Sequence, residues 1–86
     1  MDRDAKWLAA LRKTLGLKQE EMAEKIGLTV HPYRNAERGH SELRLLHINS
    51  AERVSLAEAV AQRNPMLTTP EIRREALELA RMITGE

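Results

Sequence analysis

The first segment of the chain carries apolar residues at the three- and four-residue spacing that is typical of a helix lying on a core. One apolar stripe runs through it: Trp7, Leu8, Leu11 and Leu15. Asp2 and Asp4 precede the stripe as possible N-caps, and Gly16 follows it. The pattern therefore predicts a first helix from about residue 4 to Gly16, with Trp7 facing the core.

A second stripe begins after Gly16. Apolar Met22, Ala23 and Ile26 share one face of the segment Lys18 to Ile26, and Glu20, Glu21, Glu24 and Lys25 occupy the other. Gly27 follows at the position where a helix end commonly needs a residue with positive φ. The sequence predicts a second helix that ends in a tight turn.

The third segment contains a proline, which restricts where its helix can begin. Thr29 is a good N-cap, and if it caps the helix then Pro32 falls at the third helical position. A backbone N–H at that position has no partner within the helix, so its loss costs little. The prediction is a helix from Val30 that ends at Gly39.

The segment after Gly39 is harder to divide. A short loop, His40 and Ser41, precedes the run ELRLLHI. Asn49 with Glu52 three residues later resembles a capping box, which favours a fresh helix from about Ala51 to Arg63, stopped by Asn64 and Pro65. The pattern leaves open whether residues 42–63 form one helix or two.

The last helix has clear end signals. Thr69 is placed to cap it, Pro70 occupies the favoured first position, and Gly85 closes it. Its predicted apolar stripe is Ile72, Ala76, Leu79 and Ile83, and its polar face carries Arg74, Glu78 and Arg81. Leu77 lies off the stripe and indicates a second apolar edge.

Composition agrees with packed helices. The 86 residues include no Phe, one Trp and one Tyr, so the core is expected to be aliphatic, and no strand signal occurs. We predict an all-α single domain, 1–86, of five or six helices: residues 4–39 form the core motif, 40–64 supporting helices, and 66–86 a C-terminal helix. Without cysteine there is no disulfide or thiolate metal site, and without a long apolar run a cytoplasmic protein is expected.

Charge is nearly balanced overall but unevenly distributed. The net charge is +1, with nine Lys/Arg against seven Asp/Glu in residues 1–49, and five against six in residues 50–86. A polyanion would therefore be contacted through local placement of charges in the first half.

Small and polar residues are spaced regularly across the second and third segments. Gln19, Ala23, Gly27, Tyr33 and the run Glu37-Arg38-Gly39 stand where two helices would cross closely around a tight turn. From Trp7 to Gly39 the sequence resembles the lambda repressor-like helix-turn-helix of the phage Cro/cI repressors, also called the XRE family. The run LRKTLGLKQEEMAEKIGLTVHPYRNAERG follows the family's order of basic residue, Gln, Ala, Gly and terminal Glu-x-Gly.

This resemblance implies a sequence-specific DNA-binding transcriptional regulator, repressor-like and encoded by a bacterium or a phage. The DNA-binding residues that the resemblance implies are Gln19, Thr29, Val30, His31, Arg34 and Asn35. Helical spacing adds Arg38 to the same side of the third helix, and Lys18 places a cation near the expected phosphate. Arg12 and Glu37 occupy the places of a structural ion pair behind the recognition helix. Arg34 and Asn35 suit base reading, because arginine and asparagine form paired hydrogen bonds with guanine and adenine edges, respectively.

The sequence departs from the family pattern at four places. Lys18 replaces the usual Ser or Thr, Pro32 replaces a small polar residue, and Tyr33 replaces an aliphatic one. The loop before the fourth helix is shorter than usual. We expect the Tyr33 hydroxyl to reach water, a carboxylate or DNA.

Other classes of function have less support. No nucleophile elbow, phosphate loop or paired acids indicate an enzyme, and no cofactor is implied. His40 and His47 are about 10 Å apart by helical rise alone, too far to share a metal ion. Expected partners are double-stranded DNA and a second copy in a homodimer, without a membrane. The alternative is a protein-interaction adaptor or antitoxin-like partner that uses the C-terminal helix.

Overall fold

The structure, a computed structural model, describes residues 3–85, which form five α-helices and no strand. The helices are α1 Ala5–Thr14, α2 Gln19–Ile26, α3 Val30–Arg38, α4 Leu45–Gln62 and α5 Pro70–Thr84, with a 3-10 helix, Pro65–Leu67, between the last two. The predicted all-α class is confirmed.

The first two helices begin and end at the predicted signals. The Asp4 carboxylate accepts a hydrogen bond from the Trp7 N–H at 3.0 Å and so caps α1; Asp2, the other candidate cap, lies outside the described residues. Gly27 ends α2 with φ of +81°, and the Leu28 N–H then bonds back to the Ala23 carbonyl at 2.8 Å. This left-handed turn reverses the chain into α3.

Pro32 is accommodated at the start of α3. The first helical hydrogen bond runs from the Tyr33 N–H to the Thr29 carbonyl at 3.2 Å. A backbone N–H at position 32 would have no partner within α3, so proline removes no helical hydrogen bond there. Thr29 holds the N-cap position as predicted, but its hydroxyl makes no capping bond to the described backbone. Gly39 ends the helix in the left-handed region, with φ of +76°.

Residues 45–62 form one continuous helix, so the suggested fresh start near Ala51 is wrong. Asn49 lies inside α4, and the N-cap residue of α4 is Arg44. The local capping signal fails because Glu52 is buried and its carboxylate accepts a hydrogen bond from Arg3 at 3.2 Å, a tertiary contact. Because α4 begins only at Leu45, the loop after Gly39 is also longer than the predicted pair His40 and Ser41.

The core lies between α1, α2, α3 and the middle of α4. Its buried members are Leu8, Leu11, Leu15, Met22, Ala23, Ile26, Tyr33, Ala36, Ala51 and Val54. Trp7 is half-buried and packs against this cluster. The core therefore holds α2 and α3 against each other from behind.

A buried polar joint connects α4 to α5. The Ser55 hydroxyl donates to the Glu52 carbonyl at 2.6 Å and accepts from the Thr69 N–H at 3.3 Å. Thr69 precedes α5 at the N-cap position, but its hydroxyl donates to the Glu52 carboxylate at 3.5 Å instead of capping the helix. The start of α5 is thus tied to α4 through buried groups.

Only the beginning of α5 packs on the other helices. Ile72 and Ala76 are half-buried, whereas Leu79 is 57% and Ile83 75% exposed, so the predicted stripe is a packed face only in its first half. A 15-residue helix is about 22 Å long, and the described residues extend over 46 × 24 × 18 Å. The end of α5 lies beyond the core.

Candidate functional site

Helix α3 is held by one side and leaves the other accessible. Tyr33 is fully buried and Ala36 is 4% exposed, which fixes these two residues in the core. His31 and Arg38 are exposed, and Arg34 is partly so. This partition follows from helical spacing, since residues 33 and 36 lie on one face and 31, 34 and 38 on the other.

Glu37 accepts three hydrogen bonds from two other helices. The Arg12 Nε donates to Glu37 Oε2 at 2.6 Å, Arg12 Nη2 donates to Oε1 at 3.1 Å, and Gln19 Nε2 donates to the same Oε1 at 3.1 Å. Arg12 Nη1 also donates to the Leu17 carbonyl at 3.0 Å. The Glu37 carboxylate therefore links α1, α2 and α3.

The ionised form of this pair is favoured at both ends. The hydrogen bond with Glu37 raises the pKa of Arg12, more than partial burial lowers it. Burial alone would raise the pKa of Glu37, but the hydrogen bonds from Arg12 and Gln19, with the nearby Tyr33 hydroxyl, bring it below its usual value. The network is therefore charged at neutral pH.

The Tyr33 hydroxyl is enclosed next to this network. It has no hydrogen-bond partner among the described residues, so of the three expected contacts, with water, a carboxylate or DNA, the one with a carboxylate is not formed. Burial, followed by the adjacent Glu37 carboxylate, raises the pKa of Tyr33 well above its usual value. Tyr33 is neutral at any physiological pH and serves as a core residue.

Gln19 extends the network to the accessible side of α3. Its Oε1 accepts a hydrogen bond from Arg34 Nε at 3.2 Å, while its Nε2 faces Glu37. Arg34 Nη2 also forms an ion pair with Glu20 Oε1 at 2.7 Å. The Arg34 guanidinium thus lies against the first turn of α2.

The remaining candidate residues surround this cluster without joining it. Lys18 is the exposed N-cap residue of α2, and Thr29 is the exposed N-cap residue of α3. Val30 and Asn35 are half-buried, and His31 and Arg38 are exposed. In residues 3–85 the structure describes no side-chain hydrogen bond or ion pair for Lys18, Thr29, His31, Asn35 or Arg38.

Two glutamates in this region were not predicted to have specific roles. Glu20 holds Arg34, and Glu21 accepts a hydrogen bond from the Lys18 N–H at 2.8 Å. Glu21 had a sequence signal, because Glu is the usual third helical residue of a capping box. It supplies half of such a box although lysine offers no capping oxygen. Glu20 had no comparable signal.

Across residues 3–85, no three His, Asp or Glu side chains are grouped so that they could hold a metal ion. None of the helices in the same range is both long and apolar enough to cross a membrane.

A short helix, a left-handed glycine turn and a second helix with one anchored face define a helix-turn-helix. The family model described as Helix-turn-helix matches residues 8–54, more than half of the chain. The chain belongs to this family, the XRE-type domains with Cro/cI-like members, so the resemblance is confirmed. The family comprises DNA-binding regulatory domains rather than enzymes. No curated protein and no solved structure matched the chain.

Proposed function

We propose that the chain is a sequence-specific, repressor-like transcriptional regulator that places α3 in the major groove of double-stranded DNA. The observation that carries the proposal is the anchoring of α3 by Tyr33 and Ala36, with polar side chains left on its other side. Recognition helices of this motif present such a side to base edges. A bacterial or phage regulator of this kind acts in the cytoplasm.

Four residues on α3 form the base-reading set. Arg34 suits the O6 and N7 of guanine, and Asn35 suits the N6 and N7 of adenine. Val30 can contact a thymine methyl group, and His31 can donate to guanine or to a phosphate. Arg38, in the last turn, is assigned to the edge of the same surface.

Phosphate contacts are assigned to residues at the ends of the motif. Lys18 brings a cation to the start of α2, and the Thr29 hydroxyl is not used for capping. Gln19 has a second amide hydrogen besides the one it donates to Glu37. Such contacts fix the register of a protein on the duplex without reading sequence.

The test begins with selection of bound sequences from a random DNA pool. Affinities for the selected site and for random DNA are then measured over a range of salt concentrations, and binding should weaken steeply as salt increases. Arg34→Ala should weaken binding to the selected site by about 1–3 kcal/mol and relax preference at one base pair.

The matched control is Arg74→Ala, which removes an exposed cation from α5. If Arg34→Ala, like the control, loses affinity by the same factor on selected and on random DNA, Arg34 does not read a base. If the intact protein binds no DNA at low ionic strength, the regulator proposal is wrong.

We further propose a homodimer, because a two-fold dimer places two recognition helices about 34 Å apart on a palindromic site. The exposed end of α5 supports it: Leu79 is 57%, Met82 75% and Ile83 75% exposed on one face, and Leu77, 52% exposed, forms a second edge. Large apolar side chains grouped on one surface commonly mark an interface. Leu77→Glu should lower the mass measured by light scattering, and an unchanged mass would reject that edge as the contact.

The same apolar end of α5 favours a second candidate function, an adaptor or antitoxin-like protein that binds a different protein through this helix. The light-scattering and DNA measurements separate the two candidates. A monomer that binds no DNA would favour the adaptor, and a dimer that selects a defined sequence would exclude it as the main function.

A further inference from the structure

Arg34 is the proposed guanine reader, yet its guanidinium is already bound within the protein. Nη2 lies 2.7 Å from Glu20 Oε1, and Nε lies 3.2 Å from Gln19 Oε1. Both partners are in the first turn of α2, so an arginine that reads a base must leave at least the carboxylate. The side chains of Arg34 and Glu20 are 38% and 57% exposed, which leaves both open to exchange with DNA.

We propose that Glu20 competes with DNA for Arg34 and so limits the affinity of the chain for a site that carries a correctly placed guanine. This inference rests on the proposed DNA-binding function and names a residue outside the predicted contact set. On a matching site, the paired bonds from Arg34 to guanine replace the pair with Glu20. On other DNA no such replacement exists.

A matching site makes Arg34 leave Glu20, and Glu20 then acts against binding in two ways. The ion pair of the free protein is lost, and the carboxylate is left unpaired next to a polyanion. On non-specific DNA Arg34 can stay paired; the negative charge of Glu20 then cancels that of Arg34, so Arg34 displaces no counterion from the duplex. The carboxylate therefore lowers affinity for the matching site at least as much as affinity for non-specific DNA.

The size of the effect follows from the exposure of the pair. Exposed ion pairs contribute a few tenths to about one kcal/mol, which corresponds to a change of about two- to five-fold in a binding constant. Glu20→Gln should therefore raise affinity for the selected site by about that factor, and affinity for random DNA by no more. The salt slope on random DNA should steepen by about 0.9, the value for one additional phosphate contact.

The control is Glu24→Gln. Glu24 is also an exposed glutamate on α2, and the structure describes no ion pair for it within residues 3–85. This variant measures the general effect of removing one negative charge from α2. A gain in selected-site affinity beyond that of Glu24→Gln is expected for Glu20→Gln. The effect should also disappear when Glu20→Gln is made in the Arg34→Ala background, because no guanidinium remains to be held.

Three results would overturn the inference while leaving the regulator in place. Glu20→Gln and Glu24→Gln could raise selected-site affinity equally, the Glu20→Gln effect could persist without Arg34, or Glu20→Gln could weaken binding to the selected site. The last result would make Glu20 an aid that positions Arg34 rather than a restraint on it. A wild-type protein that binds neither the selected site nor random DNA would overturn both the proposed function and this inference.

Discussion

Replacing Glu37 by glutamine should destabilise the fold strongly, although the change is nearly isosteric. The side chains of Arg12 and Glu37 are only 14% and 6% exposed, and Arg12 directs two hydrogen bonds at this carboxylate. Glu37→Gln leaves the Arg12 cation without a counter-charge in a poorly solvated position. The loss of one partner from a buried ion pair costs about 3–5 kcal/mol.

We expect the lower end of that range, about 3 kcal/mol, because Arg12 retains its bond to the Leu17 carbonyl and some contact with water. An 86-residue chain has a stability of roughly 4–13 kcal/mol, so the variant remains folded only if the wild type is not marginal. A loss of that size lowers the Tm by about 12–24 °C for a domain of this length.

The assay is urea and thermal unfolding followed by far-UV circular dichroism, with Arg12→Met and the double variant completing a cycle. The double variant removes both charges, so it should be more stable than the sum of the two single losses predicts, with a coupling of about 2 kcal/mol. If Glu37→Gln costs less than about 1 kcal/mol and the two changes are additive, the pair does not hold the three helices together.

Three further predictions concern folding. The pKa of Glu37 is lower in the folded than in the unfolded state. The contribution of its carboxylate to folding stability is therefore present above the unfolded pKa of about 4.3 and is lost as the pH falls toward the folded pKa. The difference in unfolding free energy between wild type and Glu37→Gln should therefore narrow from pH 5 to pH 3; a constant difference in urea titrations would contradict the pKa direction. Pro32→Ala should reduce stability by about 0.4–1 kcal/mol, because proline restricts the unfolded chain and its missing N–H costs α3 no hydrogen bond. A stabilised variant would show that Pro32 is strained. Ser55→Ala should cost about 1–3 kcal/mol by leaving the Thr69 N–H unpaired, whereas Ser41→Ala, an exposed loop control, should be neutral within 0.5 kcal/mol in the same denaturant assay.

The sequence predicted α1, α2 and α3 well because their end signals are local. Asp4, Gly27 and Gly39 act through the backbone of one or two turns, and Pro32 restricts where a helix can begin. The start of α4 was not predictable in this way. Asn49 and Glu52 have capping spacing, but burial of Glu52 against Arg3 is a contact between residues 49 positions apart.

The burial pattern of α3 was predictable from the sequence, and its side-chain contacts were not. Helical spacing correctly separated buried Tyr33 and Ala36 from the accessible side of α3. The bonds from Arg34 to Gln19 and Glu20 depend on the distance and angle between α2 and α3, which no single-helix pattern contains. The exposure of Leu79 and Ile83 likewise depends on where the core ends, not on the spacing within α5.

The amide of Gln19 connects two properties of the molecule that experiments usually treat separately. One end donates to Glu37, within the network that stabilises the fold, and the other accepts from Arg34, the proposed base reader. A genetic screen for loss of DNA binding would recover Gln19 variants for either reason. Their affinities are comparable with wild type only at temperatures where both proteins are fully folded, so the melting curve of each variant must be known before its binding constant is interpreted.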